Sequence, residues 1–106
     1  MACNYLRSRG YVILERNWRY QKAEIDILAL KGNTLAVVEV KTRSTDAFGD
    51  PNAFVRSNQV RLLRKAAHAY VTRHQLNLEV RFDFIGIVYA GNREKLTHLE
   101  DACFIF

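Results

Sequence analysis

The sequence predicts one α/β domain in which a central mixed β-sheet is flanked by helices. The hydrophobic period changes along the chain in the order helix, three strands, helix and further strands. A helix between strands implies a crossover connection, which joins parallel neighbours in a mixed sheet. The length of 106 residues and the hydrophobic share of 49% suit one core, so residues 1–106 are expected to form a single domain.

The first half of the chain predicts a short helix and three strands. Residues 2–9 form the helix, and Gly10 stands where a left-handed residue would end it. Strands are predicted over residues 11–18, 24–30 and 34–42, of which the last two are rich in Ile, Val and Leu. These two strands flank Gly32 and Asn33, which predict a hairpin turn.

The second half predicts a loop, the main helix and two strands. Residues 43–54 carry Ser, Thr, Asp, Gly and Pro without periodicity, which indicates a loop. From Val55 to Val71 apolar residues recur at helical spacing, and basic residues fall on the remaining face. Strands are expected over residues 80–90 and 96–106.

Composition narrows the environment of the protein and the class of its partner. The apolar runs are far shorter than the ~20 residues that span a bilayer, and a secretory signal is not evident, so a cytoplasmic protein without membrane association is expected. Cys3 and Cys103 lack metal-site spacing and are interpreted as reduced thiols. The net charge of +5 favours an anionic partner without specifying one.

The Gly32–Asn33 turn also predicts how its two strands pair. A two-residue turn of the primed type places Lys31 opposite Thr34, and every further pair follows from that register. One face is then wholly apolar, with the pairs Ala29–Ala36, Ile27–Val38 and Ile25–Val40. The other face changes from apolar to ionic with distance from the turn, with the pairs Leu30–Leu35, Leu28–Val37, Asp26–Glu39 and Glu24–Lys41. A slip by one residue would mix acids into the apolar face.

The ionic end of this hairpin is the feature that points to chemistry. Directly opposed residues of an antiparallel pair have Cβ atoms roughly 4.5 to 5.5 Å apart, where two carboxylates repel each other. Asp26 and Glu39 therefore need a counter-charge, part of which Lys41 can supply from the same face. Carboxylate oxygens favour Mg²⁺ or Mn²⁺ as the remaining cation. Such a site can activate water and stabilise the charge that develops on a phosphate.

A purely structural interpretation of the same residues stays open. Glu24, Asp26, Glu39 and Lys41 can be the solvated half of a two-sided hairpin that is held by ordinary cross-strand ion pairs. The protein would then be a structural adaptor that binds neither metal nor DNA. The coincidence of the turn, the opposed acids and the change from apolar to ionic residues is what supports the metal site, and both interpretations stay open from the residues alone.

The segments around these acids resemble a known family. Residues 23–28, AEIDIL, and residues 38–43, VEVKTR, resemble the YraN-like family of predicted endonucleases. That family is similar to archaeal Holliday-junction resolvases and to the wider PD-(D/E)xK nucleases. Supporting matches extend along most of the chain and are Gly10, Tyr11, Ile13, Leu14, Arg16, Asn17, Arg19, Gln59, Ala66, Ala67, Phe82, Asp83 and Ala102. The resemblance implies a restriction-endonuclease-like fold.

The resemblance also implies roles for individual residues. Asp26 and Glu39 correspond to the metal ligands, the main-chain carbonyl of Val40 to an additional ligand, and Lys41 to the catalytic lysine. Two accessory candidates are Glu24 and Gln59, the latter because a helix Gln or Lys after the Glu-x-Lys motif faces the site in related nucleases.

Three departures from the family pattern accompany this resemblance. Ala23 stands where the family usually has Gly, and Asn58 where it often has Lys. Family members also carry a longer first helix with a Glu that can join the metal site, which implies that the first helix is incomplete here.

Several basic residues are candidates for contact with nucleic acid. Arg16, Arg19, Arg43 and Arg61 could bind phosphates, although a basic helix face is more often simply solvated. Asp83, between two Phe residues, is interpreted as structural. The three His residues lack the spacing of metal ligands.

Two functional hypotheses follow. The first is a metal-dependent endonuclease that hydrolyses phosphodiester bonds in branched or structured DNA, with Lys41 as catalytic base or charge stabiliser. The alternative is a non-catalytic module that keeps the nuclease fold and binds nucleic acid or protein. Cleavage that depends on magnesium discriminates between them. Because resolvases act as symmetric dimers on symmetric junctions, a homodimer is a further expectation.

Overall fold

The chain folds into a five-stranded sheet with a helix on each face, in a computed structural model that describes residues 1–43 and 57–102. The elements of the described residues are, in chain order, α1 (Ala2–Ser8), β1 (Val12–Tyr20), β2 (Ala23–Lys31), β3 (Thr34–Arg43), α2 (Ser57–Arg73), β4 (Glu79–Ala90) and β5 (Arg93–Leu99). The predicted α/β class, with a central mixed sheet flanked by helices, is confirmed.

The strands lie side by side in the order of the sequence, β1-β2-β3-β4-β5. Strands β3 and β4 pair in parallel, and all the other neighbours pair antiparallel. A parallel pair needs a long crossover, and α2 lies between β3 and β4 in the chain as the sequence predicted. The central strands are therefore covered on both faces, which explains their continuous apolar runs.

Two apolar clusters fill the space between the sheet and its helices. The cluster on the α1 side contains Ala2, Leu6, Tyr11, Ile27, Ala29, Ala36, Val38, Ile85 and Ile87. The cluster on the α2 side contains Ala23, Ile25, Leu28, Leu35, Val37, Leu63, Ala66, Ala67 and Tyr70. Membership of these clusters shows toward which face of the sheet a given strand residue points.

Helix α1 ends at Ser8, one residue before the predicted end, and Gly10 has the left-handed conformation that the sequence predicted. The φ of Gly10 is 94°, in the left-handed region that glycine adopts without steric cost. Its N–H donates to the carbonyl of Arg7 at 3.1 Å, and the N–H of Tyr11 donates to the carbonyl of Leu6 at 3.0 Å. These two bonds form a Schellman motif, and Leu6 and Tyr11 pack in the same apolar cluster.

The end of the chain differs from the prediction. The last strand spans Arg93–Leu99 rather than residues 96–106, because a turn follows Leu99. Asp101 in this turn has a φ of 55°, and its N–H donates to Oδ1 of Asp83 at 3.1 Å. Residues 103–106 of the predicted strand and residues 44–54 of the predicted loop lie outside the described residues, as does Cys103. Within the described ranges no helix has the length and apolarity to cross a membrane.

Candidate active site

The hairpin of β2 and β3 has the register that its turn predicted. The paired residues are Lys31–Thr34, Leu30–Leu35, Ala29–Ala36, Leu28–Val37 and Ile27–Val38. Gly32 has a φ of 59°, as a primed turn requires at its first central position. The hydrogen-bonded ladder extends to the Ile27–Val38 pair, so the three further pairs that the sequence predicted are not part of it.

The alternation of faces along β2 breaks at Asp26. Ile27 packs in the α1-side cluster, whereas Ile25 packs in the α2-side cluster, although two residues of a regular strand lie on one face. The prediction that Ile25 shares a face with Ile27 is therefore wrong. The neighbouring strand explains the break, because Asn17 lies between the pairs Arg16–Ile27 and Trp18–Ile25 and has a φ of 53°. This left-handed residue interrupts the pleat opposite Asp26.

The carboxylate of Asp26 binds the neighbouring strand directly. The main-chain N–H of Val40 donates to Oδ2 of Asp26 at 2.8 Å, so a side chain takes the place of a strand-to-strand backbone bond. Partial burial raises the pKa of Asp26 above its ordinary value, against the lowering effects of the Val40 N–H and of the charge on Lys41. The charge of Glu24 adds to the rise. Asp26 is thus held next to the end of the β2–β3 ladder, where the two strands cease to pair.

Glu39 and Lys41 form an ion pair on β3. Nζ of Lys41 lies 3.2 Å from Oε1 of Glu39, and Glu39 is only 8% exposed. Val38 and Val40 pack on the α1 side, so alternation along the strand directs Glu39 and Lys41 to the α2 side. Lys41 links the two acids, because it pairs with Glu39 and its charge also acts on Asp26.

A cavity of about 540 Å³ opens beside Asp26 on the α1 side of the sheet. Its walls come from α1, from the irregular part of β1 and from the ends of β3 and β4, with the lining residues Met1, Ala2, Cys3, Asn4, Arg7, Arg16, Asn17, Asp26, Ile27, Val40, Thr42, Ile87 and Tyr89. Asp26 therefore lines this cavity, while alternation turns Glu39 toward the opposite side. The prediction that Asp26 and Glu39 lie opposite each other on one face is therefore wrong. The two carboxylates flank the end of the β2–β3 ladder from its two faces, and Lys41 acts on both of them.

The remaining candidates are distributed over several surfaces. Glu24 was predicted opposite Lys41, but it forms its ion pair with Arg19, whose Nε lies 2.8 Å from Oε2 of Glu24. Arg16 lines the cavity beside Asp26. Arg43 donates through Nη1 to the carbonyl of Thr42 at 2.9 Å.

Two candidates lie on α2. Arg61 lies on the exposed face of the helix. Gln59 lies in the first turn of α2, and its side chain lies outside what the structure describes. The role of the Val40 carbonyl as a metal ligand stays a prediction, since the contact that the Val40 main chain makes with Asp26 is through its N–H.

Sequence reasoning did not single out Asn17 or Arg7 as site residues, although both line the cavity at Asp26. A signal for Asn17 was present, because Asn adopts the left-handed conformation more readily than most residues. Arg7 carries no such signal. It reaches the cavity because α1 packs across the sheet, and that placement depends on the whole fold.

The carboxylates of Asp26 and Glu39, at the end of the β2–β3 ladder, decide whether a metal ion would fit. Mg²⁺ is bound through one or two carboxylates, and its other ligands are water and substrate oxygens. Asp26 and Glu39 could provide the carboxylates. In the described part of the chain, the hydrogen bond found for the Asp26 carboxylate engages Oδ2, which leaves Oδ1 for a ligand. Over residues 1–43 and 57–102, however, no group of three or more His, Cys, Asp or Glu side chains is placed to hold a metal ion.

Comparison with other proteins places the chain in a family. The model of the uncharacterised protein family UPF0102 matches residues 1–87. A UPF0102 protein of Christiangramia forsetii is 51% identical over 106 residues, which cover 100% of this chain and 89% of the relative. One from Flavobacterium psychrophilum is 47% identical with the same coverage, and one from Thermodesulfovibrio yellowstonii is 40% identical over 98% of this chain and 89% of the relative. The chain belongs to the family UPF0102, the YraN-like family that its sequence resembles.

Proposed function

We propose that the chain is a metal-dependent endonuclease that hydrolyses phosphodiester bonds in branched or structured DNA. The observation that carries this proposal is the position of Lys41, which lies 3.2 Å from Glu39 and acts electrostatically on Asp26. Two acids and one lysine at the open end of a hairpin are the set that the resemblance assigns to PD-(D/E)xK nucleases. The mixed sheet with a helix on each face supports the restriction-endonuclease-like fold that the resemblance implies.

Asp26 and Glu39 would hold Mg²⁺ or Mn²⁺, with the carbonyl of Val40 as a further donor. Their oxygens suit a hard cation, and partial burial makes the charged form of Asp26 costly without one. When bound, the ion supplies activation of water and neutralisation of charge on the phosphate. The Val40 N–H fixes the orientation of the Asp26 carboxylate, so that the donor is positioned before the ion arrives.

Lys41 has two chemically distinct roles open to it. As an ammonium it stabilises the negative charge that develops on the phosphate oxygens. As a free amine it takes a proton from the attacking water. Both roles require contact with the substrate, which the partial exposure of Lys41 permits. Glu24, paired with Arg19 at the edge of the site, would act as an accessory residue that adds negative potential near Asp26.

Cleavage of labelled linear, flapped and four-way-junction DNA in Mg²⁺ or Mn²⁺ tests the proposal. Asp26→Ala, Glu39→Ala and Lys41→Ala are each expected to lower the rate by roughly 10²-fold or more. Matched controls are Glu94→Ala and Lys95→Ala, which change exposed residues of β5. Both variants should cleave DNA at the wild-type rate. A folded, full-length protein that cuts none of these substrates would refute the nuclease.

A second candidate function is a binding module that retains the fold without turnover. It is favoured by the placement of Asp26 in the α1-side cavity while alternation turns Glu39 to the α2 side. It predicts DNA binding that is insensitive to Mg²⁺ and to Asp26→Ala. For either function we further propose a cytoplasmic location. We also propose a homodimer, because a symmetric junction presents two equivalent strands. Sedimentation of the protein on junction DNA measures that stoichiometry.

A further inference from the structure

A second concave surface lies on the α2 side of the sheet. It is a groove of about 660 Å³ between the outer face of α2 and the turn that joins β1 to β2. Its lining residues are Tyr20, Gln21, Arg61, Arg64, Lys65, His68, Ala69, Thr72 and Arg73. We call this surface the α2 groove.

The ionised side chains that line the α2 groove are all basic. Arg61, Arg64, Lys65 and Arg73 are all exposed, and the described lining of the groove contains no Asp or Glu. Helix α2 itself has no acidic residue. Cations three or four residues apart on a helix repel each other, so this stripe is costly for the free protein. An anionic partner would remove that cost.

One cation of the groove lies over an aromatic ring that is itself packed against other aromatic rings. The guanidinium of Arg73 lies over the ring of Tyr20, 5.5 Å from its centroid. Tyr20 stacks on Trp18 with ring centroids 6.2 Å apart and an interplanar angle of 2°. Trp18 in turn makes an edge contact with Tyr70, at a centroid distance of 5.2 Å. Because the wall is preorganised, less side-chain freedom is lost when Arg73 binds a ligand.

The length of the stripe suits a polymer rather than a single anion. From Arg61 to Arg73 the helix rises roughly 18 Å, at about 1.5 Å per residue. One strand of duplex DNA presents a phosphate about every 3.4 Å along the helix axis, so the stripe spans roughly five phosphates. The ligand required carries several negative charges distributed over that length, and a sugar–phosphate backbone meets this requirement.

We propose that the α2 groove binds the sugar–phosphate backbone of duplex DNA without regard to sequence. This inference rests on the proposed function for the class of partner, and it adds the surface that holds the substrate. Tyr20 packs on the α2 side, the side to which alternation directs Glu39 and Lys41. A duplex in the groove thus lies on the face of the sheet that carries the ion pair.

Binding of a short fluorescein-labelled duplex, measured by anisotropy in EDTA over a range of salt concentrations, tests this inference without cleavage. The groove variant replaces Arg61, Arg64, Lys65 and Arg73 with Gln. Its affinity should fall by more than about tenfold, and the slope of log K against log salt should decrease by roughly 0.9 for each phosphate that the variant no longer neutralises. The matched control removes the same charge elsewhere, by replacing the exposed residues Arg9, Lys31, Arg93 and Lys95 with Gln.

Three results would overturn the inference. The first is an equal decrease of affinity in the groove variant and the control, which would reduce the effect to net charge. The second is competition by polyglutamate as effective as that of unlabelled duplex at equal charge, which would assign the groove to an acidic polypeptide. The third is failure of Lys at the three Arg positions to restore most of the binding, because a variant that keeps the charge should still bind the phosphates.

The outcome is separable from that of the nuclease proposal. A protein that binds duplex through the groove but never cuts would refute the nuclease and support the groove. A protein that cleaves DNA equally well with and without the groove cations would support the nuclease and refute the groove. Glu94→Gln should bind the duplex like wild type in EDTA, because Glu94 is an exposed residue of β5 that does not line the α2 groove.

Discussion

Oδ2 of Asp26 accepts a 2.8 Å hydrogen bond from the main-chain N–H of Val40, at the point where the ladder between β2 and β3 has ended. The bond satisfies a donor that would otherwise lack a strand partner, and it holds a carboxylate between two strands. The bond fixes the orientation of the carboxylate, and partial burial raises its pKa.

Asp26→Asn is expected to raise the free energy of unfolding at neutral pH in EDTA. Burial raises the pKa of Asp26 in the folded protein, so the ionised form destabilises the fold. Stability from this group therefore falls as pH rises from the ordinary carboxyl pKa through the raised folded pKa. Asn removes the charge and can still accept the Val40 N–H. Thermal unfolding of both proteins from acidic to neutral pH measures the difference, which should vanish well below the ordinary pKa; a variant less stable at every pH would contradict it.

Mg²⁺ or Mn²⁺ should stabilise the wild-type protein against unfolding. A ligand that binds only the folded state adds about 2.7 kcal/mol at a concentration of one hundred times its dissociation constant. Glu39→Gln should abolish this gain, whereas the exposed, matched variant Glu94→Gln should keep it. Calorimetric scans with increasing metal test the prediction. A gain that survives the Glu39 substitution would place the cation elsewhere.

Asp83→Ala should be among the most destabilising single substitutions in the described part of the chain. The buried carboxylate, 3% exposed, receives 2.8 Å bonds from Nε and Nη2 of Arg81 and from Nε2 of His98. Breaking a buried pair by removing one partner costs about 3 to 5 kcal/mol, and the partial exposure of Arg81 favours the lower end.

Chemical denaturation of Asp83→Ala and of a surface control measures that cost. Glu24→Ala serves as the control, because it breaks the exposed Arg19–Glu24 pair and should cost less than about 1 kcal/mol. Comparable decreases of stability for the two variants would show that the Asp83 cluster adds nothing beyond a surface ion pair. The interpretation of Asp83 as structural would then fail.

The same carboxylate should make the protein sensitive to acid. Burial pushes the pKa of Asp83 upward, but the bonds from His98, Arg81 and the Asp101 N–H outweigh it and leave the pKa below its ordinary value. The folded state thus binds this proton less readily than the unfolded state. The stability from Asp83 is complete above the ordinary carboxyl pKa and is lost as pH falls through the lowered folded pKa.

Acid titration of the unfolding free energy checks this sign. Wild type should lose stability more steeply than Asp83→Asn below the ordinary carboxyl pKa, and the two curves should converge at low pH. Parallel curves would mean that Asp83 does not have a lowered pKa. Glu100, which is exposed and 3.6 Å from Nη1 of Arg81, provides a comparison at neutral pH, since loss of this exposed pair in Glu100→Gln should cost less than about 1 kcal/mol.

Much of the fold followed from local signals in the sequence. Gly10 predicted the end of α1, and Gly32 with the apolar pattern predicted five pairs of the hairpin, because a turn fixes register and a slip of one residue would expose the core. The crossover of α2 and the mixed sheet followed from the order of the elements. These features depend on residues near one another in the chain.

The site depended on residues that the chain brings together from a distance. The break at Asp26 lies opposite the left-handed Asn17 on β1. The carboxylate of Asp83 on β4 is bound by Arg81 of the same strand and by His98 of β5, and Arg81 also donates to the hydroxyl of Tyr11, just before β1. The sequence by itself determined which residues could carry charge at the end of the hairpin. Only the tertiary structure decided the partners of those charges, which are Arg19 for Glu24 and the Val40 N–H for Asp26. These contacts form between strands, and the packing of both apolar clusters sets the relative position of the strands.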